Sequence, residues 1–356
     1  MIIRLIDAGR VSAIRSQTIY HALAYAKTPA TPDTVVLSIP GEPYVCTGFH
    51  RSPGEEIDLD YCAARGWPVI RRETGGGTVY IDDRQLFVQW IFDPERLPRM
   101  VENRFRLFCQ PLIETYQFFG IDAVFFPPND VHVRNRKIVG TGAGAIGNAE
   151  VVTGNFIFDF DPEPMARLLN VPSERFRRMA LEGMKKYMGS FRSKLKTPPS
   201  VEEVKAVYLE KLKNILQITL EPGAFTGEEQ RLMAELDEKF AARARLSRQN
   251  QNQTGLRRVK IHANVWVSEI TVPTPQGAVE LLMRAKGNRI DAIALSGETG
   301  LLPASKIPGF EKVLVGATLS APELRELLDT FFELHGMQTT LLRVDDWVEA
   351  LLQGKI

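Results

Sequence analysis

The chain has 356 residues, 44% of them hydrophobic and 24% charged, which excludes a disordered or fibrous protein and is long enough for two domains of unequal size. Lys and Arg number 44 against 43 Asp and Glu, for a net charge of +1. Overall charge therefore does not mark a nucleic-acid binder, and any basic surface is local.

Short period-2 apolar runs bounded by Gly, Pro or Asp predict strands at Thr34–Pro40, Pro43–Gly48, Pro68–Glu73, Gly77–Asp82 and Gln85–Phe92. Asp93 followed by Pro94 is a helix start, and the spacing predicts a helix over Arg96–Phe119, stopped by Gly120. Strands resume at Asp122–Phe126, Asp130–Arg134, Lys137–Gly142 and Val151–Phe160. Helices follow at Pro162–Leu169, Ser173–Leu181, Val201–Leu216 and Gly227–Ala244. Ser247–Gly255 holds no apolar residue and reads as an interdomain linker, dividing the chain into domains over 1–250 and 256–356. The second domain carries strands at Val259–Val272, Ala278–Ala285 and Arg289–Ser296 and helices at Ala321–Leu334 and Asp345–Leu352, a small α+β unit.

Asp7 and Arg10 interrupt any secretory signal at the amino end, and no apolar run approaches the roughly 18 residues of a membrane span. The expected compartment is the cytoplasm. Cys46, Cys62 and Cys109 are too few and too irregularly spaced for a disulfide framework or a zinc site.

Arg71 and Arg72 end a strand and are followed, after Glu73 and Thr74, by Gly75, Gly76 and Gly77. Three glycines without Cβ atoms let backbone N–H groups approach an anion, with guanidinium charge beside them. A plain Gly-Gly hairpin is the alternative, but it needs no third glycine and no arginines. A second cluster joins Asn129 and Asp130 to Lys137, at the head of a strand that runs into Gly140, Gly142 and Gly144. Lys137 either reaches a carboxylate or phosphate across a glycine-rich floor or is a solvated hairpin residue, and only its pairing with the glycine loop favours the first.

Together these residues resemble the lipoate-protein ligase A family, of the biotin/lipoate protein ligase superfamily. Its RRxxGGGxV pattern stands here as Arg71 to Val79, and its N-D and K-[IV]-x-G signatures as Asn129-Asp130 and Lys137 to Gly140. The lead-in from Gly48 and the region 256–356, similar to the accessory domain of bacterial ligases, extend the resemblance over nearly the whole chain. It implies an α+β catalytic domain of mixed, mostly antiparallel sheets flanked by helices, with a small α+β accessory domain. It also implies an ATP- and Mg²⁺-dependent ligase that converts lipoate, or octanoate, to lipoyl-AMP and acylates a lysine of a lipoyl-domain or lipoate-binding acceptor protein. Such an enzyme is expected to act as a monomer, without nucleic acid or membrane.

By the same resemblance Lys137 is the catalytic lysine. Gly75, Gly76 and Gly77 wrap the adenylate, Arg72 and Thr74 face its lipoyl and phosphate side, and Val79 and Tyr80 line the adenine site. Asn129 and Asp130 hold either the lysine loop or, at Asp130, Mg²⁺, an Asx turn being the alternative. Gly140, Thr153 and Gly154 complete the binding set. Ile81 in place of a usual His, Gln85 in place of Asn, and Thr153-Gly154-Asn155 in place of His-Gly-Thr depart from the pattern and point to a divergent branch. Branches of that kind include ligases linked to heterodisulfide-reductase-like sulfur oxidation.

Two rivals follow from the same superfamily: a cysteine-dependent octanoyl or lipoyl transferase working without ATP, and a non-catalytic lipoate-binding relative. No cysteine follows Cys109, which favours ligation. Arg175–Lys196 carries eight basic residues against the one acid Glu182. It reads either as a solvated face or as a docking segment for an acidic acceptor.

Overall fold

The computed structural model describes residues 2–243 and 256–355. The chain divides into two units, Met1–Asn170 with Tyr187–Asn250 and Val171–Lys186 with Gln251–Ile356. The expected linker at Ser247–Gly255 lies outside the described residues.

In chain order the elements are β1 (Ile2–Val11), α1 (Ala13–Ala26), β2 (Thr34–Pro40), β3 (Tyr44–Thr47), α2 (Pro53–Glu56), α3 (Leu59–Ala64), β4 (Val69–Arg71), β5 (Val79–Ile81) and β6 (Gln85–Phe92). There follow α4 (Val101–Phe118), β7 (Ala123–Phe126), β8 (Asp130–Val133), β9 (Arg136–Val139), β10 (Thr141–Ile146), β11 (Ala149–Ile157), α5 (Pro162–Leu168), α6 (Glu174–Tyr187), α7 (Val201–Leu216), β12 (Thr219–Pro222) and α8 (Gly227–Arg243).

In the first unit a six-stranded sheet runs β10-β11-β6-β2-β1-β12. Its pairs with β1 are parallel and the others antiparallel. One face packs on α4 and α7 through Trp90, Phe108, Tyr116, Phe156 and Tyr208, all with no measurable exposure. Each such aromatic contributes about 2–3 kcal/mol by burial. The other face carries α1, α8 and the small sheet β4-β3-β5. A second small sheet, β7-β8-β9, is antiparallel.

Several boundaries differ from the sequence expectation for local reasons. The predicted helix over Arg96–Phe119 is a 3-10 turn at Pro94–Arg96 and then α4, because Pro98 disfavours helical backbone at Leu97. The predicted strand Lys137–Gly142 is two strands in two sheets, parted at Gly140. β1 and α1 carry no periodic signal. β1 is broken by an irregularity between Asp7 and Arg10, and α1 is buried around most of its circumference, polar Ser16, Gln17, Thr18 and His21 included.

The second unit is a four-stranded meander, β13 (Leu256–His262), β14 (Val265–Thr274), β15 (Gly277–Lys286) and β16 (Arg289–Gly297). β17 (Leu301–Leu302), α9 (Ile307–Leu314), α10 (Ala321–His335), β18 (Gln338–Thr339) and α11 (Val344–Gln353) follow it. Its core holds Phe310, Leu328 and Trp347. The run Val259–Val272, expected as one strand, is a hairpin turning between His262 and Val265. The unit also takes in 171–186 from the middle of the sequence, which a single cut near residue 250 does not foresee. There Arg175 Nη2 donates to the Leu295 carbonyl at 2.7 Å and Arg284 Nη1 to the Met179 carbonyl at 3.2 Å. Lys186 Nζ lies 2.6 Å from Asp291 Oδ1.

Candidate active site

The three glycines lie between β4 and β5, and Arg72 governs their shape. Its side chain is 9% exposed. Nη2 donates to the carbonyls of Gly75 (2.9 Å) and Gly77 (3.0 Å), Nε to Gly75 (3.2 Å) and Nη1 to Cys46 (3.3 Å). Neither the Gly75–Gly76 nor the Gly77–Thr78 peptide is cis, so carbonyls turned in toward Arg72 send the N–H groups of Gly76 and Thr78 the opposite way. The result is a pair of outward donors suited to an anion. Arg72 was expected to face substrate; it is instead the internal brace of the loop, because three backbone carbonyls saturate its fork.

Close approach explains the glycines themselves. Gly76 has φ +108°, and a Cβ there would stand 2.6 Å from Arg72 Nη2. A Cβ on Gly48 would stand 2.2 Å from the Gly76 carbonyl oxygen, so two backbones meet with no room between. Gly77 opens on free space. Gly75 N–H donates to Ala143 O at 3.2 Å, which lays the loop on β10. On β10 a side chain at Gly142 or Gly144 would press on Thr74 and the Glu73 carbonyl. The side chain of Thr74 is buried against β10 instead of facing the loop's open side.

Two further ties fix the loop. The Glu73 N–H donates to His21 Nε2 at 3.2 Å while His21 Nδ1 sits 2.7 Å from the Gln17 carbonyl, so the Nδ1-protonated tautomer fits both bonds. Thr78 Oγ1 donates to Glu56, whose other oxygen accepts from Arg51 Nη1 at 3.1 Å. Val79 is exposed on β5. The ring of Tyr80 packs tilted on Trp67 at 5.0 Å, and burial, with Asp82 nearby, pushes its phenol up to about 12.

Lys137 lies on β9, opposite His132 of β8. Its Nζ is 2.7 Å from Asp130 Oδ1; the lysine side chain is 17% exposed and the aspartate 2%. His132, stacked on Phe126 at 4.3 Å, approaches the other Asp130 oxygen to 3.6 Å. Asp130 is thus the buried counter-ion that fixes the lysine. A Mg²⁺ at Asp130, as expected from the sequence, would share a buried carboxylate that already pairs with the lysine through Oδ1. Asn129 Nδ2 donates to Thr141 Oγ1 at 3.1 Å, and that hydroxyl donates back to the Asn129 carbonyl, clipping β8 to the start of β10.

β10 gathers the predicted residues. Gly140 N–H, just before it, donates to Asn155 Oδ1 at 2.8 Å, and Thr153 Oγ1 to the Gly142 carbonyl at 3.3 Å. Gly154 leaves room for the Phe108 ring, which a Cβ would meet at 2.7 Å. Thr78, Glu56 and Asn155 join the site without having been predicted as members of it; their types are common and nothing in their spacing marks them.

All three cysteines are buried and free. Burial pushes the Cys62 thiol up to about 11 and the Cys109 thiol up to about 12, the latter also feeling Asp130 and Lys137, and raises Cys46 despite Arg72.

A family model described as the lipoyl protein ligase A/B catalytic domain matches residues 17–213, more than half of the chain. The chain belongs to the lipoyl protein ligase A/B catalytic family. Among relatives, the octanoyltransferase LipM of Kyrpidia tusciae is 26% identical over 67% of this chain and 96% of its own length. Lipoate–protein ligase 1 of Staphylococcus aureus is 25% identical over 47% of this chain and 50% of its own. In fold, a chain from the bi-partite lipoate protein ligase and E2 lipoyl domain of Thermoplasma acidophilum aligns over 68% of this chain and 94% of itself, at TM-score 0.61 and 22% identity. LipL1 of Plasmodium falciparum in complex with lipoate aligns over 99% of both chains at TM-score 0.51 and 14% identity. The ligase fold expected from the sequence is therefore present, and this member of the lipoyl ligase family is an enzyme of lipoyl transfer. No helix among the described residues is long and apolar enough to cross a membrane.

Proposed function

We propose that the protein is an ATP-dependent lipoate-protein ligase, with lipoyl-AMP as its intermediate and a lysine of a lipoyl-domain or lipoate-binding protein as acceptor. In the first half-reaction a lipoate carboxylate oxygen attacks the α-phosphorus of ATP and pyrophosphate leaves. In the second the acceptor amine attacks the adenylate carbonyl, AMP leaves and the amine proton passes to solvent. Lys137, held by Asp130, places an ammonium where charge builds on phosphate and carbonyl oxygens, and the outward N–H groups of Gly76 and Thr78 take the adenylate's anionic side. The ATP-bound lipoate-protein ligase A among the structural neighbours supports ATP as the co-substrate. Mg²⁺ would accompany ATP and neutralise phosphate charge.

The observation that carries ligation over transfer is the state of the cysteines. A thioester route needs an accessible thiolate. Cys109, the thiol that feels Lys137 and Asp130, has no exposed surface and a pKa pushed up to about 12. The octanoyltransferase relatives keep acyl transfer from a carrier protein as the second reading. Lipoate-dependent ATP–pyrophosphate exchange, lost in Lys137→Ala and kept in Cys109→Ser, is the expected result. ATP-independent octanoyl transfer abolished by Cys109→Ser would establish the second reading instead.

A further inference from the structure

The ladder between β8 and β9 pairs Val131 with Val139 and His132 with Lys137, so Ile138 is an extra residue with no partner opposite it. This is a β-bulge, one residue past the lysine. A bulge turns the side chains on either side of it and leaves its own backbone groups outside the ladder. Ile138 is fully buried, so its carbonyl needs a partner other than water. It receives one from helix α4: the Tyr116 hydroxyl donates to the Ile138 carbonyl at 3.0 Å and accepts from the Ile157 N–H of β11 at 3.3 Å. Tyr116 has no exposed surface and its ring stacks on Phe191 at 4.5 Å, so the hydroxyl is held in place. The peptides on either side are tied as well. The Lys137 carbonyl accepts from Gly189 N–H at 2.9 Å, and Gly140 N–H donates to Asn155, whose Nδ2 is in turn 2.6 Å from Gln85 Oε1.

We propose that Tyr116 is a positioning residue for Lys137: its hydroxyl locks the bulge at Ile138 that aims the lysine, with Asn155 fixing the far end of the same segment. Without the lock the buried carbonyl is orphaned and the strand gains by sliding into regular register, which turns alternate side chains to the opposite face. Tyr116 touches no substrate, and its effect reaches the reaction only through the lysine. The inference rests on Lys137 being the group that acts on the adenylate.

The test compares Tyr116→Phe with Tyr208→Phe. Tyr208 is an equally buried tyrosine of the same core, whose hydroxyl accepts from Trp90 Nε1 at 3.0 Å and bonds to no backbone group of β9. Both variants lose one buried hydroxyl and are expected to melt at lower temperature. In lipoate-dependent ATP–pyrophosphate exchange measured well below either melting point, Tyr116→Phe should lower kcat about ten- to a hundredfold, with KM for ATP and lipoate within about twofold of the parent's. Tyr208→Phe should leave kcat within about twofold. Equal kcat values in the two variants, or a loss that lies in KM, would overturn the proposal. Should Tyr116→Phe not fold, Asn155→Ala carries the same expectation against the same control. Lys137→Ala separates the two levels of the argument. Exchange persisting in Lys137→Ala would bring down the functional reading and the proposal with it, whereas exchange lost there but intact in Tyr116→Phe would bring down the proposal alone.

Discussion

Replacing Arg72 with lysine distinguishes a brace from a substrate contact. The guanidinium serves three carbonyls, that of Gly75 from Nε and Nη2, that of Gly77 from Nη2 and that of Cys46 from Nη1. An ammonium has no fork and, from the end of a flexible stem, holds one of them well. Hydrogen bonds from charged donors contribute about 1.5–3 kcal/mol each. Two are lost, and water reaches part of the loop at exposed Gly76, so Arg72→Lys should cost about 2–4 kcal/mol. For a unit of this size that lowers the melting temperature by roughly 5–15 °C. The freed Gly75 and Gly77 peptides no longer present the Gly76 and Thr78 N–H groups together, so KM for ATP in the exchange assay should rise at least about tenfold, with a smaller effect on lipoate. Melting curves and exchange kinetics on the same preparation check both. An unchanged melting temperature with an unchanged KM for ATP and a large rise in KM for lipoate would refute the reasoning and return Arg72 to the substrate.

The buried thiols make stability fall in alkali. Cys109 in the folded state keeps its proton up to about pH 12 while the unfolded chain releases it near 8.5, so its contribution is complete below about pH 8.5 and is lost as pH rises toward 12, with a ceiling of about 5 kcal/mol; denaturant titrations from pH 8 to 11 should show the decline, and a flat profile would contradict it. A thiol reagent at pH 8 should find none of the three cysteines in the native protein and all three in denaturant, and fast modification of one native thiol would reopen the transferase reading. Octanoate should support exchange nearly as well as lipoate, because apolar burial alone separates the two acyl chains by few methylene equivalents at about 0.8 kcal/mol each; a preference above about a hundredfold would require a polar contact to the dithiolane. Lys186 is paired with Asp291, so Lys186→Glu should lower the stability of the second unit, and slower acyl transfer in that variant is not evidence for docking unless Lys186→Gln, measured for stability and transfer together, separates the two effects.

Much of the fold was legible because its strands are short and bounded by glycine, proline and aspartate. β2, β6 and α7 run between the residues that the pattern names. The losses come where tertiary context overrides local pattern. Nothing in the alternation of Lys137–Gly142 says that the strand changes sheets at Gly140, since that depends on Asn155, fifteen positions on in sequence, accepting its N–H. A helix enclosed on most sides, such as α1, shows no stripe to read. The second unit's claim on 171–186 is likewise a matter of long-range bonds such as Arg175 to Leu295, and two of the basic residues that read as a solvated face or a docking segment, Arg175 and Lys186, serve as ties within that unit.

The site divides along the same line. Residues recognised by what they lack, the glycines at 75, 76 and 77, and the lone lysine among small residues stood out, because absent side chains and an isolated charge are rare in sequence. Their supports did not. Arg72 stands out for its charge, which points outward to substrate, yet a guanidinium with three carbonyls within reach and 9% exposure is spent on the backbone. Asp130 stands out for its oxygens, which suit a metal, an Asx turn or the lysine loop alike, and only the 2.7 Å contact shows it as the lysine's counter-ion. Tyr116 is one aromatic among many on a helix face, and nothing in the sequence sets it apart. In each case the sequence displays the group and conceals its direction. Direction is what decides chemistry here: turning the Gly75 and Gly77 carbonyls inward turns the N–H groups of Gly76 and Thr78 outward, and the extra residue at Ile138 sets the register of the strand that carries the lysine.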